Sequence, residues 1–157
     1  TTTILNHYLS EMTQIIFAHG GTIDKFLGDG IMLFFGDPIP QDDHALRAVN
    51  CARAMNERLE VLQKEWFPAG GRELLIGTGI NSGYATVGNF GSADRMEYTA
   101  IGNQVNLAAR LQTLAEAREI VTSSSTYGLV KEQIQAEEKG TFDIKGFARP
   151  IQVWRLK

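Results

Sequence analysis

The stretch "TIDKFLGDGIMLFF", residues 22–35, decides the fold. Two apolar, β-prone runs, "TIDKFL" and "IMLFF", are separated by Gly28-Asp29-Gly30, a tight hairpin signal. Upstream, residues 4–19 read as an amphipathic helix. Ile4, Leu5, Tyr8, Leu9, Met12, Ile15 and Ile16 recur at three- and four-residue steps, and Gly20-Gly21 stops the run. Downstream, Pro38 and Pro40 break the chain. Asp42 or Asp43 can cap a second helix, whose stripe is Leu46, Val49, Ala52, Met55, Leu59, Leu62 and Trp66 and which "FPAGG" (67–71) ends.

The alternation continues. "ELLIGTGINSGYATVGNF" (73–90) reads as strand, its repeated glycines marking bends or close backbone approach. "GSADR" (91–95) reads as a loop and "MEYTAI" (96–101) as a strand. Gly102-Asn103 opens a third helix that runs through Leu114. "EIVTS" is a short strand with a helix start at Ser123–Ser125. "GTFDIKGF" and "IQVWRL" read as a hairpin around Ala148-Arg149-Pro150. The pattern predicts an α/β sandwich, one sheet with helices packed against it, as a single domain over residues 1–157.

Composition narrows the function. The chain of 157 residues is 43% hydrophobic and 21% charged, as a soluble globular domain should be. Its net charge of −3 argues against a protein that coats nucleic acid or an anionic membrane. One cysteine, Cys51, excludes an internal disulfide framework and fits a reducing, cytoplasmic compartment. No apolar run nears membrane-spanning length, so membrane attachment of this domain is not expected.

Several chemistries drop out. His7, His19 and His44 are not spaced as a metal site among themselves. There is no P-loop signature. "GTGINSG" has one residue too many for a dinucleotide fingerprint and runs on into strand rather than helix. Cys51 lies in a helical pattern with no paired base, as a buried structural thiol does. What remains are polar residues at element ends. Asp29 sits in a hairpin turn, Thr99 in an otherwise apolar strand and Lys145 before Gly146. Asn106 and Arg110 stand at i and i+4 on one helix, so they share a face. Taken singly each has a bland explanation: a turn aspartate, a β-branched strand residue, a solubilising lysine, a solvated helix face.

Together they are harder to dismiss. "FGSADRMEYTAIGNQVNLAARL", with "KFLGDGIMLFFG" before it and "FDIKGF" after it, resembles the catalytic domain of class III nucleotidyl cyclases, the adenylate and guanylate cyclases. The resemblance covers nearly the whole chain in the family's order, and the G-N-x-V-N-x-A-x-R segment is its most specific part. It implies a ferredoxin-like α/β sandwich working as a head-to-tail homodimer. It also implies attack of the ribose 3′-hydroxyl of ATP on the α-phosphate, with two divalent cations, Mg2+ or Mn2+, and release of pyrophosphate. Asp29 matches the family's second metal aspartate, Asn106 the residue that orients the ribose, and Arg110 the one that stabilises charge on the α-phosphate. Lys145 matches the lysine that binds the outer phosphates, and Arg95 is a second phosphate ligand on a looser loop match.

By the same resemblance Lys25 reads the purine base together with Thr99. Adenine N1 needs a donor, which Lys25 supplies, and the 6-amino group needs an acceptor, which the Thr99 hydroxyl supplies. Guanine reverses both needs, so the reading is ATP over GTP. Threonine at this position looks like the class IIIb branch, which implies bicarbonate stimulation. In a homodimer, Asp29 of one subunit is expected to serve the site formed by Lys25, Thr99, Asn106 and Arg110 of the other.

One departure stands out: nothing here matches the family's first strand, with its F-x-D-I-x-G-F-T phrase and first metal aspartate. The expectation is that the working protein extends upstream of Thr1. The rival readings are a non-catalytic cyclase homologue that regulates a partner, a guanylate cyclase, and an RNA-binding sheet. The negative charge and the buried look of "IMLFF" disfavour the last.

Overall fold

In the structure, a computed structural model that describes residues 2–70 and 73–157, the hairpin forms where the sequence places it. β1 (Thr22–Leu27) and β2 (Gly30–Phe34) pair antiparallel with Leu27 opposite Gly30, so Gly28 and Asp29 alone make the turn. Gly28 has φ +65°, a region that glycine reaches without a Cβ penalty. The ladder is broken once, by a bulge at Asp24 between Ile23 and Lys25. Thr1, and Gly71 of the expected helix stop, lie outside the described residues.

The chain divides into two units, Thr1–Ile76 and Gly77–Lys157. In the first, α1 (Thr2–Ala18) and α2 (His44–Trp66) accompany the hairpin. Tyr8, Met12, Leu59 and Leu62 form the core, with Leu5, Leu9, Met55, Trp66 and Ile31 packed against it. The two helices are also tied by polar bonds. Arg58 donates to Glu11 at 2.8 Å, and the Trp66 indole donates to His7 Nδ1 at 3.1 Å. An indole nitrogen only donates, so Nδ1 accepts and His7 Nε2 carries the proton toward Glu11, 3.2 Å away. Asp43 is the residue before α2, but its carboxylate does not cap the helix; it accepts from Arg47 Nε at 2.7 Å instead.

In the second unit β3 (Thr78–Ile80), β6 (Ile120–Ser123), β8 (Ile151–Leu156) and β7 (Ala136–Phe142) form a four-stranded sheet in that order. β3 and β6 are parallel and the other pairs antiparallel. β4 (Thr86–Ser92) and β5 (Arg95–Ile101) make a separate hairpin. α3 (Asn103–Leu114) buries Leu107 and Leu111 against Val121 and Val153. α4 (Ser124–Val130) stacks Tyr127 on Trp154 at 4.4 Å. Successive residues of a strand face opposite ways, so Val153 and Trp154 place α3 and α4 on opposite faces of the sheet.

The mixed α/β architecture is as expected, with four corrections. Instead of one sheet, the described strands form three. The continuous strand expected over 73–90 is only Thr78–Ile80 and Thr86–Ser92. Between them Asn81 leaves the ladder for side-chain bonds. It donates to the Gln104 carbonyl and Oε1 at 2.9 and 2.8 Å, and accepts from Ser123 Oγ at 2.6 Å. The "GSADR" loop shrinks to a two-residue turn, because Ser92 and Arg95 pair directly. At the C-terminal hairpin, β7 starts at Ala136 and residues 143–150 form the connection, so "DIKG" is loop rather than strand.

The strand glycines do mark close approach. A Cβ on Gly79 would fall 2.3 Å from Gln112 N and 2.7 Å from the Ala108 carbonyl oxygen, both backbone atoms of α3. Gly79→Ala therefore should not be absorbed by a rotamer change. We expect a loss of about 1–3 kcal/mol in urea unfolding, with α3 displaced. An unchanged midpoint would show that the helix can shift without cost.

Candidate functional site

α3 begins where backbone freedom allows it. Gly102 precedes it with φ +133°, a value that L side chains rarely adopt. From there the helix alternates two sets of residues. Leu107 and Leu111 turn inward to the core. Asn103, Asn106, Arg110 and Thr113, at three- and four-residue steps, line a cavity of about 470 Å3 together with Lys145 and Gly146. A smaller cavity of about 300 Å3 shares Arg110, Thr113 and Lys145 and is lined also by Phe142 and Asp143.

The connection that carries Lys145 is held in place from beneath. Ile144 is buried in the same core as Leu107 and Leu111, so its neighbour is delivered to the outer face of α3. Phe147 N donates to the Ile144 carbonyl at 3.1 Å, and Asn103 Nδ2 reaches the Gly146 carbonyl at 3.4 Å. Arg110 and Lys145 are exposed, and among the described residues neither is engaged in an ion pair. A guanidinium fork, an ammonium and two amides facing one cavity make a receptor for an anion with several oxygens, such as a polyphosphate.

The structure thus brings together Asn106, Arg110 and Lys145 out of the residues singled out from the sequence. Thr99 and Arg95 do not line this cavity. Thr99 is buried on β5 opposite Gly88, its hydroxyl donating to the Ala100 carbonyl at 3.4 Å. Arg95 lies at the far end of the same strand, exposed beside the turn. The sequence marks Asn103 as a helix start; its spacing of three from Asn106 is the signal that it shares the face.

In the first unit, Lys25 and Asp29 occupy the β1–β2 hairpin. Lys25 Nζ lies 3.5 Å from Asp24 Oδ1. Asp29 is exposed in the turn, and a Cβ on Gly28 would meet nothing within 4 Å, so the approach to the carboxylate is open. The Asp29 field reaches Tyr8, whose phenol is pushed up to about 12, chiefly by burial and further by this carboxylate. Among the described residues no group of three His, Cys, Asp or Glu side chains is placed to hold a metal ion. Asp29 suits a different mode, in which one or two carboxylates and ligand phosphates share the cation. Cys51 is buried, its thiol pushed up to about 11 by desolvation, and His19 bonds the Ile15 carbonyl at 2.8 Å; both are structural.

Inorganic pyrophosphate tests the cavity without reference to any reaction. Titration calorimetry should show binding that weakens with added salt and falls about tenfold in Arg110→Ala and in Lys145→Ala. Binding unchanged in both variants would remove the cavity as the anion site.

Comparison with known proteins bears on the family and the fold. The family model described as "Adenylate and Guanylate cyclase catalytic domain" matches residues 1–157. The crystal structure of the adenylyl cyclase CyaB from P. aeruginosa superposes with a TM-score of 0.93 at 46% identity, covering 99% of this chain and 81% of that one. The guanylyl cyclase Cya2 gives the same TM-score, 0.93, at 37% identity, covering 99% and 79%. Adenylate cyclase 1 of Rhizobium meliloti is 30% identical over 155 residues, which is 98% of this chain and 23% of the relative's length.

Proposed function

This chain belongs to the adenylate and guanylate cyclase catalytic domain family, and we propose that residues 1–157 act as one catalytic domain that converts ATP to 3′,5′-cyclic AMP and pyrophosphate. The observation that carries the reading is the convergence of Asn106, Arg110 and Lys145 on one cavity. Ring closure needs the ribose 3′-oxygen in line behind the α-phosphorus while pyrophosphate leaves opposite. Such a transfer rests on positioning and on charge stabilisation. Arg110 neutralises charge that develops on the α-phosphate oxygens, with its planar fork contacting two of them. The Asn106 amide holds the ribose, and Lys145 holds the outer phosphates. Arg95 is the weaker candidate for a further phosphate contact, given its distance from the cavity along β5.

Asp29 would hold divalent cations, Mg2+ or Mn2+, which when bound neutralise phosphate charge and make the 3′-hydroxyl a better nucleophile. The domain works as a homodimer, each Asp29 serving the opposite subunit. No helix among the described residues is long and apolar enough to cross a membrane, and a supply of ATP points to the cytoplasm.

Base choice is the finer claim, and the equal superposition on CyaB and Cya2 leaves it to side-chain chemistry. Lys25 can only donate, which suits adenine N1 and opposes the N1–H of guanine. The Thr99 hydroxyl accepts from the 6-amino group. A mismatched base leaves desolvated polar groups without partners, which makes discrimination strong. The second reading, a guanylate cyclase, is favoured by the likeness to Cya2.

The test is product identification by mass spectrometry, with the full-length protein given ATP or GTP and magnesium or manganese. Cyclic AMP from ATP with little cyclic GMP is expected. Cyclic GMP as the main product would overturn the base assignment, and no cyclic product from a folded dimer would make this a regulatory homologue. Arg110→Ala should lower kcat by about a hundredfold or more with dimerisation intact; unchanged turnover would take Arg110 out of the mechanism. Lys25→Glu should erode the ATP preference.

A further inference from the structure

We propose that Asp24 is a positioning residue for base selection: its buried carboxylate anchors the Lys25 ammonium, and ATP-over-GTP preference depends on that tether. The inference rests on the reading of Lys25 as the base-sensing residue.

Adjacent residues in a regular strand point to opposite faces, so Asp24 and Lys25 should not meet. Here they do, at 3.5 Å between Lys25 Nζ and Asp24 Oδ1. The bulge explains it. The β1–β2 register shifts between Ile23 and Lys25, at the one residue where it frees the two side chains to share a side. Their environments also differ sharply. The Asp24 side chain is 1% exposed and the Lys25 side chain 42%. A carboxylate withdrawn from water is costly unless it is paired and hydrogen-bonded. Asp24 thus holds one end of the pair inside the fold, while Lys25 keeps donor capacity at the surface.

Lysine has four rotatable carbons and, left alone at a surface, samples many rotamers. A hydrogen bond to a ring nitrogen tolerates little error in distance or angle. An ammonium has three protons, so one can stay on Asp24 while another is offered to the base. The bulge and the buried carboxylate together turn a mobile cation into a fixed donor. They also keep the Asp24 carboxylate, an acceptor that would suit guanine, turned into the fold and away from solvent.

The experiment is a double-mutant cycle on the full-length protein with Asp24→Asn, Lys25→Met and the double variant. It reads kcat and KM for ATP and for GTP, with circular dichroism and dimerisation as fold controls. Asp24→Asn should lower the ATP/GTP ratio of kcat/KM about tenfold, mainly through KM for ATP. Lys25→Met should lower it at least as far, and the double variant no further than Lys25→Met. A ratio that falls in Lys25→Met but not in Asp24→Asn, or falls additively in the double variant, overturns the tether and leaves Lys25 as the base reader. A ratio unmoved by Lys25→Met overturns both. If Asp24→Asn does not fold, thermal unfolding of Lys25→Met decides. Removing the Lys25 charge from beside this buried carboxylate should lower Tm by roughly 4 °C or more, and an unchanged Tm overturns the pair.

Discussion

The contact on which the site depends is backbone against backbone: α3 lies on β3 with no side chain between them at Gly79. A Cβ there would sit inside van der Waals range of Gln112 N, the Ala108 carbonyl oxygen and Leu111 C. The approach fixes the rotation of the helix as well as its height. Leu107 and Leu111 must then enter the core with Val121 and Val153, and a helix with four residues so committed has no freedom on its other face. Asn106 and Arg110 are outward because their neighbours are inward. Ile144 obeys the same core, and Lys145 follows it outward. Two elements far apart in sequence thus deliver their polar residues to one cavity through apolar contacts beneath it.

That logic explains what the sequence revealed. α3 was legible to the residue, because a glycine before Asn103 and a clean apolar stripe are both local signals. The β1–β2 hairpin was legible because Gly28-Asp29-Gly30 admits few conformations. Asn106 and Arg110 could be placed on one face from spacing alone. The break after Ile80 was not legible. It is made by Asn81 exchanging ladder bonds for Gln104 and Ser123, residues 23 and 42 positions away. The connection at 143–150 was likewise hidden, since "GTFDI" has strand propensity and only the core position of Ile144 pulls it out of the ladder. The bulge at Asp24 leaves no pattern at all: a bulge is one residue of slippage, and an alternation of apolar and polar residues six long does not record it.

Phosphate and base make different demands, and on the proposed reading the chain would meet them with different constructions. Coulomb attraction falls slowly with distance, so a triphosphate is held well by cations that are only approximately placed. Arg110 and Lys145 fit that demand: both are exposed, and neither is tied into an ion pair among the described residues. Their flexibility costs little while the ligand carries several negative oxygens. Exposure does weaken each contact. Two unit charges 4 Å apart are worth about 1 kcal/mol in water and about 4 kcal/mol at the effective dielectric of a protein surface. Charge stabilisation of a transition state therefore calls for water to be displaced from the cavity, which a second subunit, as proposed, would do.

Reading a base is the opposite case. The difference between adenine and guanine at N1 is a single proton, and no long-range field distinguishes them. Only a donor held within about 3 Å and near linearity does so. A free lysine would satisfy adenine in some rotamers and avoid guanine in others, which yields binding without selection. The Asp24 carboxylate at 1% exposure beside a Lys25 side chain at 42% is the arrangement such a demand produces, a buried anchor with an exposed working end. On the proposed reading, loose cations would carry affinity in this chain, and selectivity would require a tethered one. On the same reading, the positions most damaging to specificity need not be those that touch the nucleotide, and Asp24, which meets Lys25 through the bulge in β1, would matter to function without contacting the base.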